Sequence, residues 1–135
     1  VAAIQFVGSE RDPRRIGAWS LERLRRVAAA ALAQSGGATL PRIDGVHPFA
    51  ALAGLAAPLP ARAFLDPGAA PWEGFGEPRP LLLAIGPEGG WSYAERAALS
   101  ASGFRAVGLG ARVLRVETAA VAALSLALAP RAAAR

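Results

Sequence analysis

The sequence predicts an α/β domain built around a mainly parallel sheet. Short apolar runs of strand length alternate along the chain with longer segments of helical periodicity. Glycines, prolines and helix-capping residues separate the two kinds of segment. Strands that alternate with helices usually pair in parallel while the helices cover the sheet, so this order predicts the α/β class.

Five apolar runs have the length of strands. They cover residues 1–7, 40–46, 61–65, 81–85 and 106–109. The run at 81–85 contains no polar residue, which is typical of a strand that is buried on both faces.

Helices are predicted between these runs from caps and periodicity. Ser20 precedes a helical pattern that Gly36 ends, and residues 48–55 form a shorter helix. Ser92 and Glu95 have the spacing of a capping box, and Gly103 ends the helix that they begin. The last helix is predicted over 117–129, where the alanine-rich sequence is too short to span a membrane and indicates a buried helix.

Composition narrows the class of protein. A chain of 135 residues with 53% hydrophobic and 19% charged residues predicts one globular domain. Without cysteine it has no disulfide or thiolate chemistry, and its single histidine argues against a zinc site, so we expect no metal. The sequence shows neither a membrane-spanning run nor a secretory signal, which makes the cytoplasm the expected location.

The charge is positive and comes from arginine alone. A net charge of +5 suits contact with nucleic-acid phosphates. A genome that favours arginine and alanine codons would explain the same composition, so the charge does not decide between the two.

Two loops that follow predicted strands concentrate the unusual residues. Residues 85–92 hold three glycines and a proline, and residues 109–119 hold two arginines and a glutamate ahead of the last helix. Open α/β sheets bind ligands at this edge. A lysine-dependent phosphate loop is excluded because the chain has no lysine, and Val113 occupies the third glycine position of a dinucleotide motif. The residues alone therefore predict a small-molecule site lined by backbone.

Both loops resemble the diagnostic motifs of a known family. Leu-Leu-Ala-Ile-Gly-Pro-Glu-Gly-Gly-Trp-Ser at 82–92 and Leu-Gly-Ala-Arg-Val-Leu-Arg-Val-Glu-Thr-Ala at 109–119 are similar, in wording and order, to those of the RsmE family. This family comprises 16S rRNA uridine-N3 methyltransferases of the SPOUT superfamily. Weaker similarity extends to Ser9-Glu10-Arg11 and to Gln34-Ser35-Gly36. The chain departs from the family pattern at Leu24, Ala30 and Gly37, where the family usually has Trp, Glu and Arg.

The resemblance implies a fold, a cofactor and partners. It implies a trefoil-knotted α/β fold that binds S-adenosyl-L-methionine, acts as a homodimer and methylates 16S rRNA in the 30S subunit, with no membrane and no metal. Family members also carry an N-terminal PUA-like RNA-binding domain and a first catalytic strand and helix. We therefore expect residues 1–135 to be a SPOUT methyltransferase domain that lacks this strand and helix, taken from a longer chain.

The resemblance also assigns site residues. The cofactor would be bound by residues of three loops, namely Leu65, Ile85, Gly86, Pro87, Gly89, Gly90, Leu109, Gly110, Val113 and Leu114. For the leucines among them, plain core packing is the alternative. Arg115 is the first choice for stabilising charge on the uracil, with Arg112 second, while Glu88 and Glu117 are the candidate bases. Glu88 would otherwise hold its glycine loop, and Glu117 would otherwise cap the last helix.

The expected RNA contacts are arginines. They are Arg11, Arg14, Arg15 and Arg112, and for the first three a solvated basic loop is an equal alternative. Trp91 is expected to pack against its own loop rather than stack on a base.

Two other functions stay open. One is a different SPOUT RNA methyltransferase, and the other is a noncatalytic RNA-binding or ribosome-assembly module. Measurable binding of S-adenosylmethionine would favour an enzyme over the noncatalytic module.

Overall fold

The structure divides the chain into two compact units. It is a computed structural model that describes residues 1–12, 20–73 and 80–128. Unit 1 comprises Val1–Gly8 and Asp12–Leu52, and unit 2 comprises Ser9–Arg11 and Ala53–Arg135. The length predicts a single core, whereas the contacts fall into two groups, so each unit is described by itself.

Unit 1 is a two-stranded parallel sheet with one long helix. Strand β1, Ala3–Val7, pairs with β2, Arg42–His47, and the register shifts between Ile4 and Phe6. Helix α1, Leu21–Ser35, lies between these strands in sequence. As predicted, the Ser20 hydroxyl caps it by accepting the Arg23 N–H at 3.3 Å, and Gly36 ends it in the left-handed region at φ 66°.

A short helical connection leads along the chain into unit 2. The 3₁₀ turn Phe49–Ala51 is followed directly by helix α2, Leu52–Ala56. Together they account for the short helix predicted over 48–55.

Unit 2 is a three-stranded parallel sheet with two helices. Strand β3, Ala61–Leu65, lies between β4, Leu81–Ala84, and β5, Arg105–Val107. Helix α3, Tyr93–Ala101, follows β4, and helix α4, Val116–Leu128, follows β5. The alternation of strand and helix that predicted the α/β class is thus confirmed.

One hydrophobic cluster of unit 2 lies between the sheet and α4. The buried residues of this cluster are Ala63, Leu65, Trp72, Val107 and Ala123. Ala119 and Ala127 pack against it from positions one helical turn before and after Ala123. The alanine face of α4 is therefore the side of the helix that contacts this cluster.

Two predictions about burial are wrong. Only Ala84 of β4 is fully buried, since β4 lies at the edge of the three-stranded sheet rather than at its centre. Helix α4 is not a buried helix either. Ala123 is its only fully buried residue among those that the structure describes, while Val121 is 67% and Leu128 is 72% exposed. The helix covers the sheet with its alanines and presents larger apolar side chains to solvent.

None of the helices in the described residues is both long and apolar enough to cross a membrane.

The trefoil knot that the resemblance implies stays a prediction.

Candidate functional site

A pocket opens at the carboxyl-terminal edge of the sheet in unit 2. Its lining residues come from the segments that follow β3, β4 and β5 and from the first turn of α4. They are Leu65, Asp66, Pro67, Ile85, Gly86, Pro87, Glu88, Gly90, Trp91, Val107, Leu109, Gly110, Arg112, Val113, Leu114, Val116 and Ala119. Parallel strands bring the loops that follow them to one edge, which is where ligands bind in open α/β sheets.

The glycine-rich loop after β4 is shaped by one tryptophan. The Trp91 indole is 5% exposed, and its Nε1–H donates to the Leu65 carbonyl at 3.1 Å. A Cβ at Gly86 would lie 3.0 Å from indole Cε2, so a side chain there would push the ring away from the loop backbone. Trp91 therefore ties the loop after β4 to the end of β3, as expected of a tryptophan packed on its own loop.

A tight turn closes the same loop. The Gly90 N–H donates to the Pro87 carbonyl at 2.8 Å, and Gly90 has a φ of 68°, which favours glycine. Glu88 lies within this turn, lines the pocket and is exposed to solvent. Within the described residues it accepts no hydrogen bond from the loop backbone, so the structure does not show the loop-holding alternative for Glu88.

The second predicted loop supplies the opposite wall. Gly110, at φ 110°, turns the chain after Leu109. Arg112 and Leu114 line the pocket, and Val113 does so while 77% exposed. Apart from Arg112, these groups are apolar or backbone, so this wall suits an apolar, flat part of a ligand.

Asp66 is a pocket residue that the sequence analysis missed. Its carboxylate forms a two-point ion pair with Arg96 on α3, at 2.8 Å to Nε and 3.3 Å to Nη2, and it also accepts the Gly68 N–H. The Asp66 side chain is 15% exposed. Because Asp66 directly follows a strand, the rule that singled out the other two loops would have identified it.

The loop after β3 is held against Gly108. Gly108 donates its N–H to the Ala70 carbonyl, and its own carbonyl accepts the Trp72 N–H, both at 2.8 Å. A Cβ at Gly108 would lie 2.5 Å from the Ala69 carbonyl oxygen. Only a glycine therefore permits this contact between the segments that follow β3 and β5.

Glu95 anchors the start of α3. Its carboxylate accepts the N–H of Ser92 at 2.8 Å and of Glu10 at 2.9 Å, and its own N–H donates to the Ser92 hydroxyl, which completes the predicted capping box. Glu95 is 3% exposed. Burial opposes ionisation, but the hydrogen bonds that the carboxylate accepts from the Ser92 and Glu10 backbone outweigh it and lower the pKa of Glu95 from its ordinary value of 4.5.

The structure brings most of the predicted cofactor residues together. Those that line the pocket are Leu65, Ile85, Gly86, Pro87, Gly90, Leu109, Gly110, Val113 and Leu114. Gly89 does not line it; its carbonyl accepts a hydrogen bond from the Arg11 guanidinium at 3.2 Å.

The predicted catalytic residues separate into two groups. Glu88 and Arg112 line the pocket, whereas the first choice, Arg115, is exposed and lies outside the lining. Glu117 also lies outside it and occupies the first turn of α4, where a carboxylate stabilises a helix. This position agrees with the capping alternative for Glu117.

Of the predicted RNA contacts, Arg11 and Arg112 are described, and Arg14 and Arg15 lie outside the described residues.

In the part of the chain that the structure describes, no three His, Asp or Glu side chains are grouped so as to hold a metal ion.

Solved structures of methyltransferases share this fold. A protein of Legionella pneumophila described as a methyltransferase in complex with the cofactor SAM matches 93% of this chain with a TM-score of 0.83 and 29% identity. The ribosomal RNA small subunit methyltransferase E of Neisseria gonorrhoeae, bound to S-adenosyl methionine, matches 93% with a TM-score of 0.76 and 31% identity. In both cases the match covers 54% of the solved chain.

Sequence comparison identifies the family. The RNA methyltransferase domain model matches residues 1–128, so the chain belongs to the RNA methyltransferase domain family. A shorter stretch of 49 residues is 57% identical to the ribosomal RNA small subunit methyltransferase E of Treponema pallidum, covering 36% of this chain and 18% of that protein. These findings confirm the family resemblance. The chain spans about half the length of the solved relatives.

Proposed function

We propose that this chain is the catalytic domain of an enzyme that transfers a methyl group from S-adenosylmethionine to N3 of a uridine in 16S rRNA. The observation that carries the proposal is the pocket formed by the segments after β3, β4 and β5, where nine of the ten predicted cofactor residues lie. Two solved relatives with this fold hold S-adenosylmethionine.

The pocket residues fit such a cofactor. Leu65, Ile85, Leu109 and Leu114 provide apolar walls for an adenine ring. Backbone groups of the two glycine-bearing loops supply hydrogen-bond partners without bulky side chains. When bound, S-adenosylmethionine supplies an electrophilic methyl group on a sulfonium.

The target nitrogen must lose a proton before it is methylated. Uracil N3 is protonated at neutral pH, so the site needs a base or a group that stabilises the anion. Arg112 lines the pocket with a permanently charged, planar guanidinium, which suits negative charge on the uracil carbonyl oxygens. Glu88 takes the role of base because it is exposed to solvent in the pocket lining, whereas the other pocket carboxylate, Asp66, is paired with Arg96. Arg112 thus replaces Arg115 as the first choice.

The partners follow from the same assignment. The substrate is 16S rRNA in the 30S subunit, which places the enzyme in the cytoplasm. The net charge of +5 favours binding to RNA phosphates.

A second copy of the chain would cover the exposed apolar face of α4, where Val121 and Leu128 lie two turns apart. The trefoil knot is part of the proposal.

Calorimetric titration of the chain with S-adenosylmethionine tests the cofactor. We expect saturable binding, and we expect Gly86→Val to abolish it because the added side chain meets the Trp91 ring. Gly45→Ala, at a position with open space around its Cβ, is the control. A folded chain that does not bind S-adenosylmethionine would overturn the proposal.

Methylation of unmodified 30S subunits tests the target. Transfer of labelled methyl to 16S rRNA, with the product nucleoside identified by mass spectrometry as N3-methyluridine, is the expected outcome. A 2′-O-methylated product would instead favour a different SPOUT methyltransferase, and a folded chain that neither binds the cofactor nor transfers methyl would favour the noncatalytic module.

A further inference from the structure

The segment Ser9–Arg11 groups with unit 2, which contains the pocket, rather than with its sequence neighbours. Residues on both sides of it, Val1–Gly8 and Asp12–Leu52, group with unit 1, whereas these three residues group with unit 2. Its contacts in unit 2 are with the glycine-rich loop and with the first turn of α3.

One anchor of this segment is the buried carboxylate of Glu95. One of its oxygens accepts the Glu10 N–H at 2.9 Å, and the other accepts the Ser92 N–H at 2.8 Å. A single side chain, 3% exposed, therefore fixes both the segment and the end of the glycine-rich loop. Charge-assisted hydrogen bonds of this kind are stronger than neutral ones.

The second anchor is contact with Gly89. A Cβ at Gly89 would lie 3.2 Å from both Cβ and the carbonyl oxygen of Arg11, so the segment packs directly on the loop backbone. The Arg11 guanidinium also donates to the Gly89 carbonyl at 3.2 Å. Gly89 thus faces Ser9–Arg11, while Gly86, Pro87, Glu88 and Gly90 line the pocket.

We propose that Ser9–Arg11 is a positioning segment that holds the glycine-rich loop in its cofactor-binding shape, and that Arg11 acts on the loop rather than on RNA. This inference rests on the proposed function, since it assigns the segment to the binding of S-adenosylmethionine. The segment touches the outer side of the loop, so it acts through the loop and not on the cofactor.

The test removes the anchoring N–H and leaves the side chains of the pocket intact. Glu10→Pro deletes the donor to Glu95, and Glu10→Ala keeps it and is the matched control. We expect Glu10→Pro to raise the Kd for S-adenosylmethionine about tenfold, the effect of losing one hydrogen bond to a charged group, while Glu10→Ala binds like the parent chain. Thermal unfolding of each variant shows whether the fold is retained.

A second pair of variants probes the same contact without a proline. Gly89→Ala pushes the loop away from Arg11, and Arg11→Met removes the guanidinium. Both should weaken S-adenosylmethionine binding by about threefold or more, with unfolding midpoints and the affinity for 16S rRNA unchanged. A purely structural role would lower the unfolding midpoint, and an RNA contact would lower the rRNA affinity.

The outcomes separate the inference from the proposed function. If the parent chain is folded and does not bind S-adenosylmethionine, the proposed function fails. If the parent chain binds and the Gly89→Ala and Arg11→Met variants bind equally well, the positioning role is overturned, whether or not Glu10→Pro folds. If Arg11→Met loses rRNA affinity and keeps cofactor affinity, Arg11 is an RNA contact and the inference is again overturned.

Discussion

At the scale of single residues, two glycines of unit 2 occur where a neighbouring group lies close to the backbone, and not where the backbone is left-handed. Gly86 lies under the Trp91 ring, and Gly108 lies against the Ala69 carbonyl. Neither has a φ in the left-handed region, so what excludes a side chain at these positions is the neighbouring group. Both glycines occur where segments that line the pocket meet.

Gly108→Ala should destabilise the protein strongly. The new Cβ would lie 2.5 Å from the Ala69 carbonyl oxygen and 3.3 Å from that of Ala70, and backbone cannot move aside as a flexible side chain can. We expect a loss of about 2–3 kcal/mol, in the range of overpacked cores, measured by urea denaturation. Gly54→Ala, within α2 and with open space, is the control and should be neutral or stabilising. Equal stability of both variants would contradict the contact.

Long-range pairs of residues are what the sequence does not reveal. Asp66 and Arg96 are 30 positions apart, and Glu10 and Glu95 are 85 apart. Each member is an ordinary surface residue type, and nothing local indicates which partner it will have. The glycine-rich motif and the Ser92–Glu95 spacing were visible because their partners lie within a few residues.

At the scale of elements, the ends of helices are fixed by a few charged side chains. Glu95 caps α3 and holds Glu10, whereas Arg62 on β3 donates to three carbonyls, those of Ala57, Leu59 and Ser102. Leu59 and Ala57 follow α2, and Ser102 is the C-cap of α3. One guanidinium thus satisfies carbonyls beyond the ends of two helices.

Arg62→Met should loosen these ends. It keeps most of the apolar stem but removes three hydrogen bonds to a charged donor, so we expect a loss of about 2 kcal/mol in the free energy of unfolding. Arg26→Met, at an exposed position of α1, should change that energy by less than about 0.5 kcal/mol. Chemical denaturation of the two variants beside the parent chain measures the difference. A similar small effect for both would show that Arg62 contributes no more than a surface arginine.

Glu95 should make stability depend on pH in the acid range. The folded protein holds the pKa of Glu95 below 4.5, so the ionised carboxylate stabilises the fold above pH 4.5. This contribution is lost as the pH falls below 4.5 and through the folded pKa. Glu95→Gln should lose stability at pH 7, and its difference from the parent chain should shrink toward pH 3. Denaturant titrations at several pH values measure this, and a difference that does not vary with pH would exclude Glu95 as the source.

Element boundaries were predictable to the extent that local chemistry sets them. The cap at Ser20, the stop at Gly36 and the strand Ala61–Leu65 were predicted at their observed positions. The strand predicted over 40–46 instead covers Arg42–His47, because its limits are set by pairing with β1. Pairing is a tertiary contact, which the apolar pattern of one segment does not determine.

At the scale of the whole molecule, the described surface carries apolar side chains that the fold itself does not cover. Val121 and Leu128 of α4 are 67% and 72% exposed and lie seven positions apart, on one face. The sequence predicted a buried helix from its apolar composition. Composition alone cannot show whether burial comes from the same chain or from another one.

We expect this face of α4 to form a homodimer contact. Under the proposed function, sedimentation equilibrium should give twice the chain mass of 13.8 kDa. Val121→Glu combined with Leu128→Glu should shift the protein to monomer, because two carboxylates would have to be buried without partners. Val27→Glu, at a 60% exposed position on α1, is the matched control and should leave the dimer intact. If the parent chain is a monomer, or if the double variant stays dimeric, the second copy does not bind through α4.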